Sequence, residues 1–205
     1  MPEKVIIIGA GGHGRVIADI LRSSGREVPG FLDDHATCGP DTNVLGKVED
    51  APRFKDSAEF IIGIGDNKTR MEIAERFKGV LRFATAVHKS AVIAPGAVLG
   101  EGSAVMAGAV VNVGAVIGSH CVINTSASVD HDCALSDFVH VSPGARLAGN
   151  VTLGKGTWIG IGGAVINDVT ICPWCVIGAG GVVIKNLDKP GTYVGVPVSF
   201  KAADR

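Results

Sequence analysis

Two hydrophobic patterns with different periods divide the chain. From Val87 onward an aliphatic residue recurs at every sixth position without a gap, and the position four residues after each carries no large side chain until Leu187. Neither the 3.6-residue period of a helix nor the two-residue period of a strand produces this spacing. The seventeen aliphatic positions are Val87, Ile93, Leu99, Val105, Val111, Ile117, Ile123, Val129, Leu135, Val141, Leu147, Leu153, Ile159, Val165, Ile171, Ile177 and Val183. This hexapeptide repeat predicts a parallel β-helix, in which three hexapeptides form one triangular coil around an aliphatic interior.

The part of the chain before the repeat alternates between strand-like and helix-like segments. A continuous apolar run such as residues 5–8 is typical of a strand buried on both faces. Apolar residues then recur at helical spacing from Val16 to Leu21, and Asn67 can cap a second helix. The predicted strands are residues 5–8, 28–32 and 60–64. The pattern therefore predicts a small Rossmann-like βαβ parallel sheet over residues 1–84, followed by the β-helix over residues 85–205.

Composition agrees with a repeat fold and narrows the possible partners. Hydrophobic residues make up 46% of the chain but aromatic residues only 5%, and there are 29 glycines. The net charge of −1 offers no electrostatic basis for binding nucleic acid or an anionic membrane. No apolar run approaches the length needed to span a bilayer, and the start "MPEKVIIIG" has no signal-peptide layout. We expect a soluble cytoplasmic protein.

The stretch "CPWC", residues 172–175, is similar to the redox motif of thioredoxins. That chemistry requires a helix N-terminus that lowers the pKa of the thiol. The repeat instead places this stretch in a β-helix coil, with Cys121, Cys133 and Cys175 at small-residue positions. We therefore expect reduced cysteines without a redox role, and no metal.

The first strand leads into "GAGGHG", residues 9–14, whose glycines match the spacing of dinucleotide-binding loops. Asp33 and Asp34 follow about twenty residues later, where such a domain places the acid that binds the ribose. In isolation these features favour NAD. A dinucleotide fold needs two mononucleotide halves, however, and the hexapeptide repeat begins before a second half could form. We therefore expect a single nucleotide at this loop.

Several stretches together resemble the NeuD/PglD-like sugar acetyltransferases, which join a small α/β domain to a left-handed β-helix. They are "GAGGHGRVIADIL", "FLDD", "GIGDNKTR", "INTSASVDHDCALSDFVHVSPGARLAGNV" and "YVGVP". The resemblance covers essentially the whole chain. It implies transfer of the acetyl group of acetyl-CoA, most often to the 4-amino group of a nucleotide-linked deoxyamino sugar. It also implies a homotrimer with the active site between subunits.

His131 is the predicted general base. It lies two residues after Val129, so its side chain should point out of the prism, and Gly149 lies one coil further along. A histidine beside a glycine N–H could supply both a base and a donor to the oxyanion, as direct acetyl transfer to an amine requires. Family members carry an acid at the position of Asp132, which favours it as the partner of His131. Asp130 is the alternative, because adjacent strand residues point to opposite faces.

The resemblance also implies a binding site for acetyl-CoA. His140 lies half a coil from His131, so the two cannot easily share a site within one chain, and the resemblance implies that His140 contacts acetyl-CoA. A corner residue without that role is the alternative. Gly149 and Ile161 match positions that line the CoA cleft. Ala179 stands where family members have glycine, and Lys201 is a candidate partner of a CoA phosphate in a segment that departs from the family pattern.

Three loops follow the three predicted strands, and they should line one crevice at the carboxyl ends of the sheet. The resemblance implies that the nucleotide bound there is the handle of the sugar acceptor. Backbone amides of the glycine loop would hold its diphosphate, and Asp33 or Asp34 would bind the base or ribose. For Arg70 a solvated helix position is the alternative. The predicted contacts are Gly11, Gly12, His13, Gly14, Asp33, Asp34, Gly65, Asn67 and Arg70.

The sequence thus predicts an N-acetyltransferase that acts on a nucleotide-activated 4-amino-4-deoxy sugar in glycan or surface-polysaccharide biosynthesis. The nucleotide could be UDP, GDP or dTDP. O-acetylation of a sugar such as sialic acid is the rival reaction, and a nucleotide-binding scaffold without turnover is the rival outside enzymes. His120, at a repeat turn, is expected to have no catalytic role.

Overall fold

The computed structural model describes residues 4–36, 39 and 42–201 of the 205-residue chain. The N-terminal part contains a four-stranded parallel sheet with the strand order β3-β2-β1-β4. Its elements are β1 Val5–Ile8, α1 Gly12–Ser23, β2 Phe31–Leu32, β3 Val44–Gly46, a 3-10 helix Val48–Phe54, β4 Glu59–Ile62 and α2 Asn67–Arg76. The predicted parallel sheet is present. It has one more strand than predicted, β3.

The predicted cap of α2 is wrong by one residue. Asp66 is the N-cap, and its carboxylate accepts hydrogen bonds from the backbone N–H and the hydroxyl of Thr69. Asn67 is instead the first residue of the helix, and its side chain points into the protein. Both residue types cap helices well, so the local sequence does not distinguish them.

The hexapeptide repeat forms the expected triangular prism. Between residues 86 and 183 the strands are two or three residues long, and each pairs in parallel with a strand 18 residues away, as Val116 pairs with Ala134. The strands are β5 Ala86–Val87, β6 Val92–Ile93, β7 Val98–Leu99, β8 Ala104–Val105, β9 Val110–Val111, β10 Val116–Ile117, β11 Val122–Ile123, β12 Ser128–Val129, β13 Ala134–Leu135, β14 His140–Val141, β15 Arg146–Leu147, β16 Thr152–Leu153, β17 Trp158–Ile159, β18 Ala164–Val165, β19 Thr170–Ile171, β20 Cys175–Ile177, β21 Val182–Val183, β22 Gly191–Val194 and β23 Ser199–Phe200.

Each wall of the prism is one sheet. The eight-stranded sheet contains β5, β8, β11, β14, β17, β20, β22 and β23. The six-stranded sheet contains β6, β9, β12, β15, β18 and β21, and the five-stranded sheet contains β7, β10, β13, β16 and β19. The aliphatic residues of the repeat fill the interior from Val105 to Val183, whereas Val87, Ile93 and Leu99 are only partly buried at the first coils.

The corners between walls use a left-handed backbone at every sixth residue. The fifteen residues concerned all have a positive φ: Gly96, Gly102, Gly108, Gly114, His120, Ser126, Asp132, Phe138, Gly144, Asn150, Gly156, Gly162, Asp168, Trp174 and Gly180. Glycine, aspartate and asparagine tolerate this conformation, and eight of the 29 glycines stand at these corners. Phe138 and Trp174 do not tolerate it easily, so tertiary contacts must hold them there.

The N-terminal domain packs on the outer face of the eight-stranded sheet. Ile17 and Leu21 of α1 lie in one buried cluster with Ala86, Ala104 and Val122 of the prism. A second buried cluster on the other side of the parallel sheet includes Phe138 of the prism. The two domains therefore share two hydrophobic clusters. Within the described ranges, no helix is long and apolar enough to cross a membrane.

Candidate active site

His131 and Asp132 form a hydrogen-bonded pair at the corner between the six-stranded and five-stranded sheets. His131 Nδ1 lies 2.9 Å from Asp132 Oδ2, and the side chains of both residues are more than half exposed. The left-handed backbone of Asp132 (φ 59°) belongs to the corner itself. Asp130 Oδ1 instead accepts from the backbone N–H of His131 at 2.7 Å and from Asn112 Nδ2 at 2.9 Å. Asp132 is thus the carboxylate that contacts the imidazole ring.

Gly149 lies directly under the ring of His131, one coil along. A Cβ at Gly149 would stand 2.5 Å from both Cε1 and Nε2 of His131, so no larger residue fits without displacing the ring. The N–H of Gly149 and Nε2 of His131 form no hydrogen bond within the described part of the chain. Neither group is used within the described part of the chain, and Gly149 lies against the ring that carries Nε2.

The charges around His131 favour its protonated form. The hydrogen bond to Asp132 raises the pKa of His131 above its usual value, and the charges of Asp130, Asp132 and Asp168 act in the same direction. Because Asp132 can only accept when ionised, Nδ1 carries the hydrogen and Nε2 keeps its lone pair in the neutral ring.

His140 lies on the eight-stranded sheet and is buried under the N-terminal domain. Its Nδ1 lies 3.3 Å from the carbonyl oxygen of Gly65, and its Nε2 lies 3.1 Å from Asn124 Nδ2. Because a carbonyl only accepts, Nδ1 donates to Gly65 and Nε2 accepts from Asn124. Burial, with a smaller effect of the charge of Arg70, lowers the pKa of His140 to about 3. Its ring also stacks on Trp158, with centroids 5.3 Å apart. Contact between His140 and acetyl-CoA stays a prediction.

His13 connects the glycine loop to this cluster. It lies in the first turn of α1, and its ring centroid is 6.2 Å from that of His140. Burial, with a smaller effect of Arg70, lowers the pKa of His13 to about 4. Its Nε2 is buried and has no partner among the described residues. Two buried histidines with lowered pKa values, His13 and His140, therefore lie next to each other where the glycine loop meets the β-helix.

An apolar cleft opens at the corner that follows the eight-stranded sheet. It has a volume of about 310 Å³ and includes Ile161, Ala179 and Trp158 in its lining. The indole Nε1–H of Trp158 donates to Ser142 Oγ at 2.7 Å. Sequence reasoning missed Trp158 and Asn124. An aromatic residue at an outward strand position, in a chain with few aromatics, is the signal that could have found Trp158.

The cleft and His131 lie at different corners of the prism. Gly149 and His131 follow strands of the six-stranded sheet, whereas Ile161 and Ala179 follow strands of the eight-stranded sheet. The six-stranded wall therefore separates the cleft of one chain from the His131 of the same chain.

The glycine loop leaves open space at the carboxyl ends of β1 and β4. A Cβ on Gly11, Gly12 or Gly65 would meet nothing within 4 Å. No side chain caps α1, so the first N–H groups of this helix point toward that space. Gly14 has the opposite surroundings, because a Cβ there would stand 2.0 Å from the carbonyl oxygen of Gly9. Gly14 thus allows close packing of the helix on the strand, while Gly11 and Gly12 line the crevice.

The two aspartates after β2 bind the backbone around this crevice. Asp33 Oδ2 accepts from Ala10 N–H at 2.8 Å, and its Oδ1 accepts from the N–H groups of His35 and Ala36 at 2.8 Å. Partial burial alone would raise the pKa of Asp33, but these three bonds hold it below its usual value. Asp34 Oδ1 accepts from Val48 N–H at 3.0 Å. Both carboxylates therefore shape the loops, and contact with a ribose or base stays a prediction.

The structure corrects the expectations for Asn67 and Arg70. Both side chains are buried and bond to protein groups, including a hydrogen bond between Arg70 Nη2 and Asn67 Oδ1 of 2.8 Å. Neither the predicted contact of these two side chains with the nucleotide nor the alternative of a solvated Arg70 fits this burial. Two of the carbonyls that bind Arg70, those of His120 and Phe138, belong to the β-helix and lie fifty or more residues later in the chain.

Lys201 lies at the end of the described chain, after β23. Its backbone N–H donates to Thr192 O at 2.7 Å, and the residue is exposed. A contact with a CoA phosphate stays a prediction. No cluster of three His, Cys, Asp or Glu residues that could hold a metal occurs in the part of the chain described by the structure.

Comparisons with known proteins identify the family. Residues 4–77 match the PglD N-terminal domain. The structure of PerB from Caulobacter crescentus, in complex with CoA and GDP-perosamine, superposes with a TM-score of 0.93 and 37% identity, and 97% of each chain is covered. The chain belongs to the PglD-like family of left-handed β-helix sugar acetyltransferases.

Two further relatives in the family support this placement. The acetyltransferase domain of PglB from Neisseria gonorrhoeae, in complex with acetyl coenzyme A, is 33% identical with a TM-score of 0.93, over 98% of this chain and all of that one. UDP-N-acetylbacillosamine N-acetyltransferase from Bacillus subtilis is 38% identical over 108 residues. That match spans 49% of this chain and half the length of the Bacillus enzyme. Membership of this family, rather than a dinucleotide fold, accounts for the glycine-rich loop.

Proposed function

We propose that the protein transfers the acetyl group of acetyl-CoA to the 4-amino group of a nucleotide-activated 4-amino-4-deoxy sugar. The observation that carries this proposal is the His131–Asp132 pair beside the N–H of Gly149, in a chain that matches PerB over 97% of its length. PerB was solved with CoA and GDP-perosamine bound, and PglB with acetyl coenzyme A. These ligands indicate the two substrate classes.

In this mechanism His131 acts as the general base without an acetyl-enzyme. As the sugar amine attacks the thioester carbonyl, a C–N bond forms and His131 Nε2 takes the proton from the nitrogen. The N–H of Gly149 donates to the oxyanion of the tetrahedral intermediate. The C–S bond then breaks, and the CoA sulfur leaves with the proton that His131 returns. Asp132 holds the ring in the required tautomer and stabilises the imidazolium.

Each substrate is assigned to a separate surface. The apolar cleft at Ile161 and Ala179 suits the pantetheine arm, because its lining is apolar with few polar groups. The uncapped start of α1 and the open space at Gly11 and Gly12 suit the diphosphate of the nucleotide. Because both acetyl-CoA and nucleotide sugars are cytoplasmic metabolites, we place the reaction in the cytoplasm.

The active site is proposed to form between the subunits of a homotrimer. Within one chain the six-stranded wall lies between the cleft and His131, so a neighbouring chain must supply one of them. Apolar side chains on the outer faces of the six-stranded and five-stranded sheets and their shared corner suit such an interface. They are Val92, Val98, Val113, Val116 and Ile166, each between 42% and 59% exposed.

Thiol release tests the proposed reaction. Purified protein is incubated with acetyl-CoA and, in turn, UDP-, GDP- and dTDP-linked 4-amino-4-deoxy sugars, and the product is identified by mass spectrometry as an amide. We expect release with one of these acceptors, and His131→Ala should lower kcat by about 10²-fold or more with the fold intact. Absence of release with all amino sugars, or acetylation of a sugar hydroxyl instead, would contradict the proposal.

A further inference from the structure

A buried arginine joins the two domains. Arg70 of α2 is only 1% exposed, and all five of its N–H donors are used. On the side of the β-helix, Nε donates to His120 O at 2.8 Å and Nη2 to Phe138 O at 3.1 Å. On its own side, Nη1 donates to Ile64 O at 3.0 Å and Gly65 O at 3.1 Å, and Nη2 donates to Asn67 Oδ1.

The acceptors of Arg70 are unusual for a buried charge. Four are backbone carbonyls and one is an amide, and none of the five is a carboxylate. Burial lowers the pKa of Arg70 to about 10, so the guanidinium keeps its charge at neutral pH. An apolar residue would avoid the cost of removing this charge from water. A planar group that fixes five acceptors provides geometry that an apolar contact does not.

The carbonyls that Arg70 binds belong to two functional segments. Ile64 and Gly65 form the loop after β4, one of the loops at the nucleotide crevice, and Gly65 O also accepts from His140 Nδ1. Phe138 lies two residues before His140, in the corner that leads into β14. Arg70 thus connects the crevice loop to the strand that carries His140.

The backbone of the β-helix is adapted to this contact. His120 and Phe138 both have a positive φ, whereas glycines stand at the same corner one coil before and one coil after, at Gly102 and Gly156. The rings of His120 and Phe138 stack with centroids 5.3 Å apart, and Phe83 of the N-terminal side packs edge-on against His120 at 4.7 Å. Aromatic residues therefore occupy an unfavourable backbone conformation at the two corners whose carbonyls Arg70 binds.

We infer that Arg70 is a positioning residue. It fixes the loops at the proposed nucleotide crevice relative to the eight-stranded sheet of the β-helix, which borders the apolar cleft. This inference rests on the proposed function for its kinetic consequence. Without Arg70 the acceptor would still bind to the N-terminal domain, but its amine would be misplaced relative to the thioester. Asn67 assists, because its Nδ2 also donates to Gly156 O at 3.1 Å.

The kinetic test uses Arg70→Met, which keeps the volume but removes all donors, and Arg70→Lys, which keeps the charge. Arg26→Met is the matched control, because Arg26 pairs with Glu59 inside the N-terminal domain. We expect Arg70→Met to lower kcat/KM for the nucleotide sugar by about 10- to 100-fold. The Kd of CoA, measured by calorimetry, should change by less than about two-fold, because the apolar cleft lies within the β-helix. Arg70→Lys should likewise lower kcat/KM for the nucleotide sugar and leave the Kd of CoA unchanged. The control should change neither quantity.

A second measurement is independent of turnover. Amide hydrogen exchange should lose protection in Arg70→Met at the loop of residues 63–66 and at the corners around His120 and Phe138, but not in Arg26→Met. If the wild-type protein acetylates no amino sugar, the proposed reaction fails. The exchange measurement still tests whether Arg70 holds the two segments together.

Three results would overturn the inference. One is an acceptor kcat/KM of Arg70→Met within about two-fold of the control. Another is an equal loss in acceptor kinetics and CoA affinity, which would indicate general damage. The third is unchanged exchange at both segments. If Arg70→Met does not fold, Arg70→Lys and Asn67→Ala undergo the same measurements, with smaller losses expected.

Discussion

At the scale of single residues, the chemistry depends on what stands beside His131. The repeat was sufficient to predict that His131 points outward and that Gly149 lies one coil along, because both follow from counting 18 residues. It did not decide between Asp130 and Asp132, since that choice depends on how the corner turns. The left-handed backbone at Asp132 places its carboxylate against the ring, while Asp130 binds backbone and Asn112.

The pH dependence of kcat/KM should reveal the effect of Asp132. The base must be neutral, so activity falls as pH decreases through the pKa of His131, which Asp132 raises. In Asp132→Asn this pKa falls, and the acidic limb of the profile should move to lower pH while the maximal rate drops because the ring is less well oriented. Asp130→Asn should move the limb less, because its carboxylate does not bond the ring. An unchanged limb in Asp132→Asn would show that the titrating group is not His131.

Gly149→Ala tests the contact under the ring. The added methyl would stand 2.5 Å from His131 Nε2, so the imidazole must move away from its position. We expect kcat to fall by about 10²-fold, since a displacement of about 1 Å has effects of this size. Asn167→Ala, at the same corner one coil further, serves as the control for local stability. A Gly149→Ala enzyme with the control's kcat would argue against any contribution of this glycine.

Burial raises the thiol pKa of two cysteines. Cys172 and Cys175 lie with their sulfur atoms 3.5 Å apart, but burial, together with Cys172, raises the pKa of Cys175 to about 12. Burial also raises the pKa of Cys121 to about 12. Alkylation with iodoacetamide at neutral pH should therefore be slow at Cys121 and Cys175 in the native protein and fast in urea. Rapid modification of Cys175 in the native state would contradict this.

At the scale of elements, prediction succeeded where the pattern was local and repeated. Seventeen aliphatic positions determine the strands of the prism, and none depends on a distant partner for its assignment. β3 was missed because "VLG" is too short to show a period. Arg70 was misjudged for a different reason. Its neighbours in the sequence of α2 are those of a solvated helix. Two of the carbonyls that bind it belong to His120 and Phe138, which follow it by 50 and 68 positions.

The corners allow a test of backbone strain against packing. Replacing Phe138 by glycine relieves a left-handed conformation worth about 1–2 kcal/mol but removes a buried ring worth about 3–5 kcal/mol. We therefore expect Phe138→Gly to lower the free energy of unfolding by about 1–4 kcal/mol. Ser126→Gly, at an exposed corner with a similar positive φ (55° against 62°), should be neutral or slightly stabilising. Urea denaturation measures both, and a stabilised Phe138→Gly would mean that strain dominates.

At the scale of the whole molecule, the proposed activity requires more than one chain. The cleft and His131 of one chain are separated by the six-stranded wall, and apolar side chains line the outer faces next to it. The family resemblance predicts the trimer, but a single sequence does not identify the surface. The exposed valines of the prism become informative only when the strands are arranged in three walls.

Val116→Glu tests this surface. A carboxylate at this 49% exposed position should prevent assembly of the proposed trimer and abolish acetyl transfer although His131 is unchanged. Val80 is a 46% exposed valine on the N-terminal domain, and Val80→Glu should leave both assembly and rate intact. Sedimentation velocity and thiol release measure the two effects. A fully active monomeric Val116→Glu would place the complete site within one chain.

The coil register also limits how the enzyme can diversify. Each coil advances by about one strand spacing of 4.8 Å. The N-terminal domain contacts the prism at His120, Phe138 and His140, so these contacts bracket His131 within little more than one coil. Inserting an 18-residue coil inside this stretch would separate contacts that the N-terminal domain makes at the same time. We therefore expect relatives to differ in the number of coils beyond this stretch and not within it.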